Sequence, residues 1–440
     1  MRVIHLLRKY DPAEWGGTET AVQRLFEGLR EQGVTTVMYC PYVNGNGARA
    51  AKSADEDQNV RADNNRHAPS ETHNGNNGDI KRFKSFLPAW GISRQEKRQL
   101  ISLGGNLMSF DLLPAMWREP DVALVHTHTL GRLGGIASAV ARGRGLPFVV
   151  SIHGGLLDLP PALKTVFNGS SHRGFEWGKI FGLLLQSRRL IHHADAVLAC
   201  NSTEAELLRK NHPGKRIEIQ PHGIPTGAYQ HDHRAAAREA FPQIRERDVL
   251  LSVGRIDPVK NQAWLIAQAP EILREHPAAL LVLAGACTNE AYGQSLECQV
   301  RDLGISQRVL ITGGLPPGDP RLIGLIQESR VVLLPSISET FGLVLLEAWA
   351  AGTMVISSRT SGASALIRDG ENGWLFDLSD PRAFHHAVNQ TLLNPDLRAC
   401  LAESGRELVN REYDIMSVAG RVKQLYNELI EAKHALRHSA

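Results

Sequence analysis

The sequence predicts an α/β protein built of two doubly wound domains. Three observations lead there. Short β-rich runs alternate with helically spaced segments along most of the 440 residues. Many of the runs are almost continuously apolar, as parallel strands covered on both faces are. The alternation also restarts after residue 245, so the pattern is read twice. With 42% hydrophobic and 22% charged residues, the chain has material for two such cores.

Taken in order, "MRVIHLLRKY" reads as the first strand, its apolar core being too short for a signal peptide. "ETAVQRLFEGLREQG" has helical spacing, and "TTVMYC" is the next strand. Residues 44–79 are rich in Asn, Gly and charge and nearly lack large apolar side chains, so a mobile insertion is expected. Two motif-like fragments inside it, Gly45-x-Gly47-x-x-Ala50 and Asp55-Glu56-Asp57, read as accidents of composition. "VALVHTHT", "PFVVSIH", "AVLACN" and "IEIQPH" complete the first domain, expected over 1–225. The turn-rich stretch 222–234 marks the break. "VLLSVGR", "ALLVLAG", "RVLITGG", "RVVLLPS" and "TMVISSR" build a second domain over 240–415, and 416–440 reads as a last helix.

Composition narrows the function. A net charge of +3 gives no reason to expect nucleic acid. No apolar run approaches the roughly 18 residues of a spanning helix. Cys40, Cys200, Cys287, Cys298 and Cys400 are scattered without a C-x-x-C pair, which predicts reduced thiols in a cytoplasmic protein. The N-x-[ST] matches at Asn168 and Asn201 are read as chance.

The chemistry concentrates in "SISETFGLVLLEAWAAG", residues 336–352. A helix capped by Thr340 is expected, apolar on every side and therefore buried. Glu347 lies inside it, and a buried carboxylate needs partners. One reading is a structural pair with an internal Arg or Lys; the other is a ribose diol, which offers two donors to one carboxylate. Substituting Glu347 by Ala is then expected to weaken nucleotide binding without unfolding the chain. Glu339 lies about 12 Å away at helical rise. Phe341, Gly342 and Leu343 between the two acids present free N–H groups to an anion. The order acid, N–H cluster, acid suits sugar, diphosphate and ribose.

"SVGRIDPVKN" supplies matching cations. Asp257 and Pro258 are read as cap and first helical residue, which puts Lys260 in a first turn against the helix dipole. A diphosphate beside Arg255 and Lys260 would remove that conflict; two surface cations are the alternative. Gly16 and Gly17 precede a helix that Thr18 can cap, but the loop is not G-x-G-x-x-G, which disfavours a nicotinamide enzyme. His153 ends a strand in "VVSIHGG", where ligands of open α/β sheets sit; a structural histidine is the alternative. His126 and His128 share a strand face, and without an evident third ligand no metal site is expected.

Together "SETFGLVLLEAWAAG", "SVGRIDPVKN", "GGTETAV", "VVSIHGG" and "LIRDGENGWLFD" resemble the retaining glycosyltransferases of family 4, over nearly the whole chain except 44–79. The resemblance implies the GT-B fold, two Rossmann-like domains facing a central cleft, with the last helix crossing back to the first domain. It implies that Glu347 binds the ribose, Glu339 the donor sugar, and Arg255 and Lys260 the leaving diphosphate. Phe341, Gly342 and Leu343 would lie against sugar and phosphate, with Gly17 approaching from the first domain and His153 near the sugar's distal hydroxyls. A UDP- or GDP-hexose would be the co-substrate, with no cofactor or catalytic metal, and the acceptor would attack from the leaving-group face. Base contacts are expected from backbone near Gly313 and Gly314. One departure is His222-Gly223, where the family usually has Asn-Gly.

The acceptor is less marked. Residues 164–193 carry Lys164, Arg173, Lys179, Arg188 and Arg189 against Glu176, among Phe175, Trp177, Ile180, Phe181 and Leu183 to Leu185. Such a helix, like residues 87–100, suits an anionic membrane surface or simply packs on the first sheet. A glycan or lipid-linked glycan acceptor at the inner face of the plasma membrane is the expectation. An epimerase or phosphorylase on the same fold, and a non-catalytic sugar-nucleotide-binding protein, are the competing readings.

Overall fold

Each apolar run of the sequence becomes a strand, and all strand pairs are parallel. The first sheet consists of β1 (Arg2–Leu6), β2 (Thr35–Pro41), β3 (Ile80–Phe83), β4 (Val122–Thr127), β5 (Phe148–Ile152), β6 (Ala196–Ala199) and β7 (Ile217–Ile219). Its order is β3-β2-β1-β4-β5-β6-β7. The second consists of β8 (Asp248–Val253), β9 (Ala279–Ala284), β10 (Val309–Gly313), β11 (Ser329–Leu334), β12 (Met354–Ser358) and β13 (Trp374–Phe376), in the order β10-β9-β8-β11-β12-β13. This computed structural model describes residues 1–10, 16–42, 80–91, 93, 106–154 and 177–438. All of 44–79, including both fragments noted there, lies outside them, as does Asn168.

The strand order reverses between β1 and β4 and between β8 and β11. Crossover helices leave a crevice at such switch points, beyond the carboxyl ends of the strands. Residues 7–10, 16 and 17 follow β1 and residue 128 follows β4; Arg255 and Glu339 follow β8 and β11. The sheets thus bring these loops together.

The helix Ile415–His438 closes the first domain. Its Ala419, Val422, Leu425, Tyr426 and Leu429 pack with Val3, Leu124, Val149 and Leu198 in one buried cluster. It crosses back through a backbone bridge: Ile224 N–H donates to Tyr413 O and Ile415 N–H to Ile224 O, each at 2.9 Å. The helix Arg234–Ala240 already packs on Pro320–Glu328 of the second domain.

Several local expectations change. The helix after the Glu339 segment is Leu343–Ala350, and its cap is Gly342 at φ 92°, not Thr340. The left-handed turn there is open to glycine, so the helix starts two residues later. Asp257 does cap, accepting from Val259 N–H at 2.9 Å, but only a 3-10 turn, Pro258–Lys260. Asn261 at φ 59° then breaks the chain before the helix Gln262–Glu275. Lys260 therefore does not stand in the first turn of an α-helix. Gly16, not Thr18, caps Gly17–Glu31. Residues 177–193 are not one helix but Lys179–Leu184, a 3-10 turn Ser187–Arg189 and Leu190–His193, divided at left-handed Gln186. Asn201 is buried and caps Ser202–Asn211, a structural role that fits no glycan.

Candidate active site

A cleft of about 660 Å³ lies between the domains at both switch points. From the first domain it is lined by Gly16, Gly17, Thr18, Thr20, His153 and His222. From the second come Arg255 and Lys260 after β8, Gly314 after β10, and Glu339, Phe341, Gly342, Leu343 and Glu347 after β11. All the singled-out residues but one thus meet in one place. Gly313 is the exception: its carbonyl accepts from Gly285 N–H at 2.9 Å, behind the cleft wall. A larger hollow, about 920 Å³, lies at the amino end of β8 near Arg245 and Arg247. It is at the wrong end of the sheet for a ligand, and Arg238 and Arg330 there are paired with Glu328 and Asp248.

The two sequence segments of the second domain join directly. Lys260 Nζ forms an ion pair with Glu339 Oε2. Ile337 N–H donates to Val259 O at 2.9 Å and ties the same loops by backbone. Arg255 is exposed at the cleft, its carbonyl held by Gln262 Nε2 at 2.8 Å. Leu343 and Val344 begin the helix, so their N–H groups lack partners in the preceding turn. Those N–H groups and two cations face one cavity, which suits an anion.

Glu347 is 6% exposed, buried as expected, and its partner is an arginine. Arg24 Nη2, from the first domain, donates to Glu347 Oε1 at 2.7 Å. Tyr229 Oη accepts from the same nitrogen at 3.4 Å. The structural pair foreseen for this carboxylate therefore exists, but it spans the cleft, and Glu347 still lines the cavity. Sequence reasoning missed Arg24. Its signal was helical phase: Thr20, Arg24 and Gly28 share the buried face of Gly17–Glu31.

Thr340 also bridges the domains. Its Oγ1 donates to His153 O at 3.2 Å, and its carbonyl accepts from Asn201 Nδ2 at 2.7 Å. Gly154, at φ 88°, leaves room for this contact; a Cβ there would come within 2.4 Å of Thr340 Cβ.

Residues 16–223 match the glycosyl transferase 4-like domain, and residues 234–408 match glycosyl transferases group 1. The D-inositol 3-phosphate glycosyltransferase of Frankia alni is 30% identical over 287 residues, 63% of this chain and 68% of that one. The protein of the same name from Acidothermus cellulolyticus is 31% identical over 299 residues, 64% of this chain; the match spans 62% of the relative's length. The chain belongs to glycosyltransferase family 4. Its fold is GT-B. Anabaena HepE in complex with UDP aligns with a TM-score of 0.69 at 16% identity, covering 97% of this chain and 100% of that chain. Sucrose-phosphate synthase from Thermosynechococcus elongatus aligns with a TM-score of 0.68 at 21% identity, covering 98% and 99%.

This family 4 glycosyltransferase carries a row of buried imidazoles behind its cleft. β1 and β4 pair in register at His5 and His126. His5 thereby supplies the third ring that the spacing of His126 and His128 alone did not reveal. The three present nitrogens within 4.8 Å of one another. Both His126 nitrogens are engaged, by Tyr426 Oη at 2.6 Å and Ser151 Oγ at 2.7 Å. Both His128 nitrogens are engaged too, by His5 and His153. The row thus reads as a hydrogen-bond network. His222 stacks on His153 at 5.1 Å and meets Phe341 edge-on at 4.6 Å, so the residue replacing the family's usual Asn becomes part of the cleft wall. Burial pushes His153 down to about 4 and His5 to about 3, and lowers His126, His128 and His222 well below the ordinary range.

Proposed function

We propose that the chain transfers a hexosyl group from a UDP- or GDP-sugar to an acceptor hydroxyl, with retention at the anomeric carbon and without a catalytic metal. One observation carries the reading: Arg255, Lys260, Glu339, Glu347 and the Leu343 helix start converge on one cleft at the β8/β11 switch point. Glu347 takes the ribose diol. Arg255, Lys260 and the N–H groups of Leu343 and Val344 take the diphosphate. Glu339, held by Lys260, meets the donor sugar, and Gly17 closes over the phosphates from the first domain. No Cβ intervenes there; the nearest atom to the place of one is Leu343 Cδ1, at 4.0 Å.

In the reaction the acceptor oxygen forms its bond to the anomeric carbon on the face from which the diphosphate departs. The anomeric C–O bond breaks with its electron pair going to the diphosphate oxygen. That oxygen takes the acceptor proton, and nucleoside diphosphate leaves. The two cations and the helix start offset the charge that develops on the leaving group, the task a metal has elsewhere.

The acceptor is a glycan or lipid-linked glycan. The relatives' name points to a phosphorylated inositol instead. Among the described lining residues the Lys and Arg side chains are Arg255 and Lys260, both on the donor side, which supports an uncharged acceptor group. A lipid-borne acceptor is further supported by the apolar surface of the first domain, where Leu183 is 79% and Leu184 71% exposed. Among the described residues no helix is long and apolar enough to cross a membrane.

The test is calorimetric titration of UDP, GDP and ADP, each with EDTA and with magnesium. Selective binding of UDP or GDP, unchanged by EDTA, is expected. Binding of none, or binding only with metal, would overturn the donor reading. Transfer to inositol 3-phosphate but to no lipid-linked glycan would replace the acceptor.

A further inference from the structure

Both cations of the cleft sit on one short loop, yet they are tied to different parts of the second sheet. Arg255 follows β8, and its neighbours are bonded to the β9 side: Gly254 N–H donates to Ala284 O and Ile256 N–H to Ala286 O, each at 2.9 Å. Lys260 is bonded to the β11 side, by its ion pair with Glu339 and by its neighbour Val259, whose carbonyl accepts from Ile337 N–H at 2.9 Å. The Arg255 side chain is exposed and pairs with no carboxylate among the described residues, so its backbone decides where its guanidinium can reach.

The backbone bonds within the loop do not join the two cations. Lys260 N–H donates to Asp257 O at 2.9 Å and Asn261 N–H to Pro258 O at 3.1 Å, and neither reaches back to Arg255. Gln262 does. It opens the helix Gln262–Glu275, and its Nε2 donates to Arg255 O at 2.8 Å. That bond closes a ring of chain with Arg255 at one end and Lys260 near the other.

The amide is kept against its own interest in packing. A carbonyl oxygen takes a hydrogen bond only from a donor, so the NH2 of Gln262 must face Arg255 O, and the orientation of the amide is fixed. Its Oε1 is then sealed in the interior without a hydrogen-bond partner, on a residue only 2% exposed. A bare buried acceptor destabilises a fold. Met, of similar length, would fill the space without one. A packing rule broken beside a candidate site points to a demand of that site.

We propose that Gln262 is a positioning residue: its amide fixes Arg255 relative to Lys260, so that both cations reach the outer phosphate of the donor together. The diphosphate as ligand rests on the function proposed above; the tie between the loop ends does not. Charge develops on the outer phosphate as the sugar departs, so the spacing of the two cations matters most there.

The test is calorimetry of UDP and UMP on the full chain, or of GDP and GMP if the wild type selects guanine, with thermal unfolding alongside. Gln262→Met should raise the diphosphate Kd at least about tenfold, the worth of one charge-assisted hydrogen bond. The monophosphate lacks the outer phosphate, and its Kd should change less than about threefold. The unfolding midpoint should not fall, because the bare acceptor goes with the amide. A purely structural amide gives the opposite pattern: a lower midpoint, with both nucleotides affected alike or not at all. That pattern, or a native diphosphate Kd in the folded variant, would overturn the proposal. If Gln262→Met does not fold, Gln262→Leu, which also lacks the amide, is read in the same way. A wild type that binds neither diphosphate marks failure of the donor reading instead.

Discussion

Glu347 carries two burdens at once. It faces the cavity where a ribose would lie, and it neutralises Arg24, which is only 7% exposed. Removing one partner of a buried pair leaves the other charge uncompensated, at a cost of about 3 kcal/mol or more. The sequence alone suggested that Glu347→Ala would weaken nucleotide binding and leave the fold untouched. With Arg24 in place both should suffer: a nucleotide Kd raised at least about tenfold, for a lost charge-assisted bond, and a lower unfolding midpoint. Arg24→Met separates the effects. It should lower the midpoint similarly while nucleotide Kd, by calorimetry, stays within about threefold, well under the worth of a charge-assisted hydrogen bond. Equal affinity loss in both variants would mean that Glu347 acts only through Arg24.

At the scale of elements, what could be read in advance was whatever a local pattern encodes. The long apolar strands could be placed because their neighbours on both faces demand nothing but apolar side chains. β3 was not foreseen because "IKRF" is short and charged, and β13 because "WLF" is only three residues. Helix starts were misplaced where a left-handed residue, Gly342 or Asn261, ended the local rule. Glu339, Lys260 and Glu347 were found because their types break the pattern around them. Arg24 and His5 were not, since their partners lie 323 and 123 residues away and follow from domain packing and strand register.

The strand ends of β1, β4 and β5 also make a pH prediction. His153 takes up its proton near 4 and His5 near 3 in the folded chain, against 6.5 when unfolded. Between those values the unfolded state binds more protons. The contribution of these rings is therefore complete above about pH 6.5 and is lost as pH falls below it. His126, His128 and His222 shift the same way. Urea unfolding should show stability falling steadily from pH 7 to pH 5, before most carboxylates titrate. A flat profile over that interval would mean that the imidazoles are not buried as described.

For the whole molecule, the polar bonds that join the two domains across the cleft among the described residues include Arg24 to Glu347 and Tyr229, Asn201 to Thr340, and Thr340 to His153 O. Side-chain bonds of this kind across an open cleft suit a hinge that opens to admit donor and closes on it. Thr340→Val with Arg24→Met should enlarge the radius of gyration in X-ray scattering without nucleotide, and nucleotide should reduce it again. An unchanged radius in the double variant would place the constraint in the backbone bridge at Ile224 and the last helix.

The outer surface makes the last prediction. Trp90, Phe110, Ile180, Leu183 and Leu184 are exposed on the first domain, and Trp177 packs with Phe86, Trp90 and Phe181 beneath them. Residues 177–193 hold Lys179, Arg188 and Arg189 and no acid. Apolar side chains that insert and cations that meet lipid phosphate reinforce each other at an anionic bilayer, whereas either alone binds weakly. The break at Gln186 keeps the apolar part, Lys179–Leu184, separate from the turn that bears the two arginines. Flotation with phosphatidylglycerol-rich vesicles should therefore capture the wild type at low salt. Leu183→Glu with Leu184→Glu should abolish capture while leaving nucleotide Kd unchanged, because neither residue lines the cleft. Arg188→Gln with Arg189→Gln should weaken capture and reduce its salt dependence. Equal recovery of all three proteins in the unbound fraction would remove the membrane from the proposed function and leave a glycan free in solution as the acceptor.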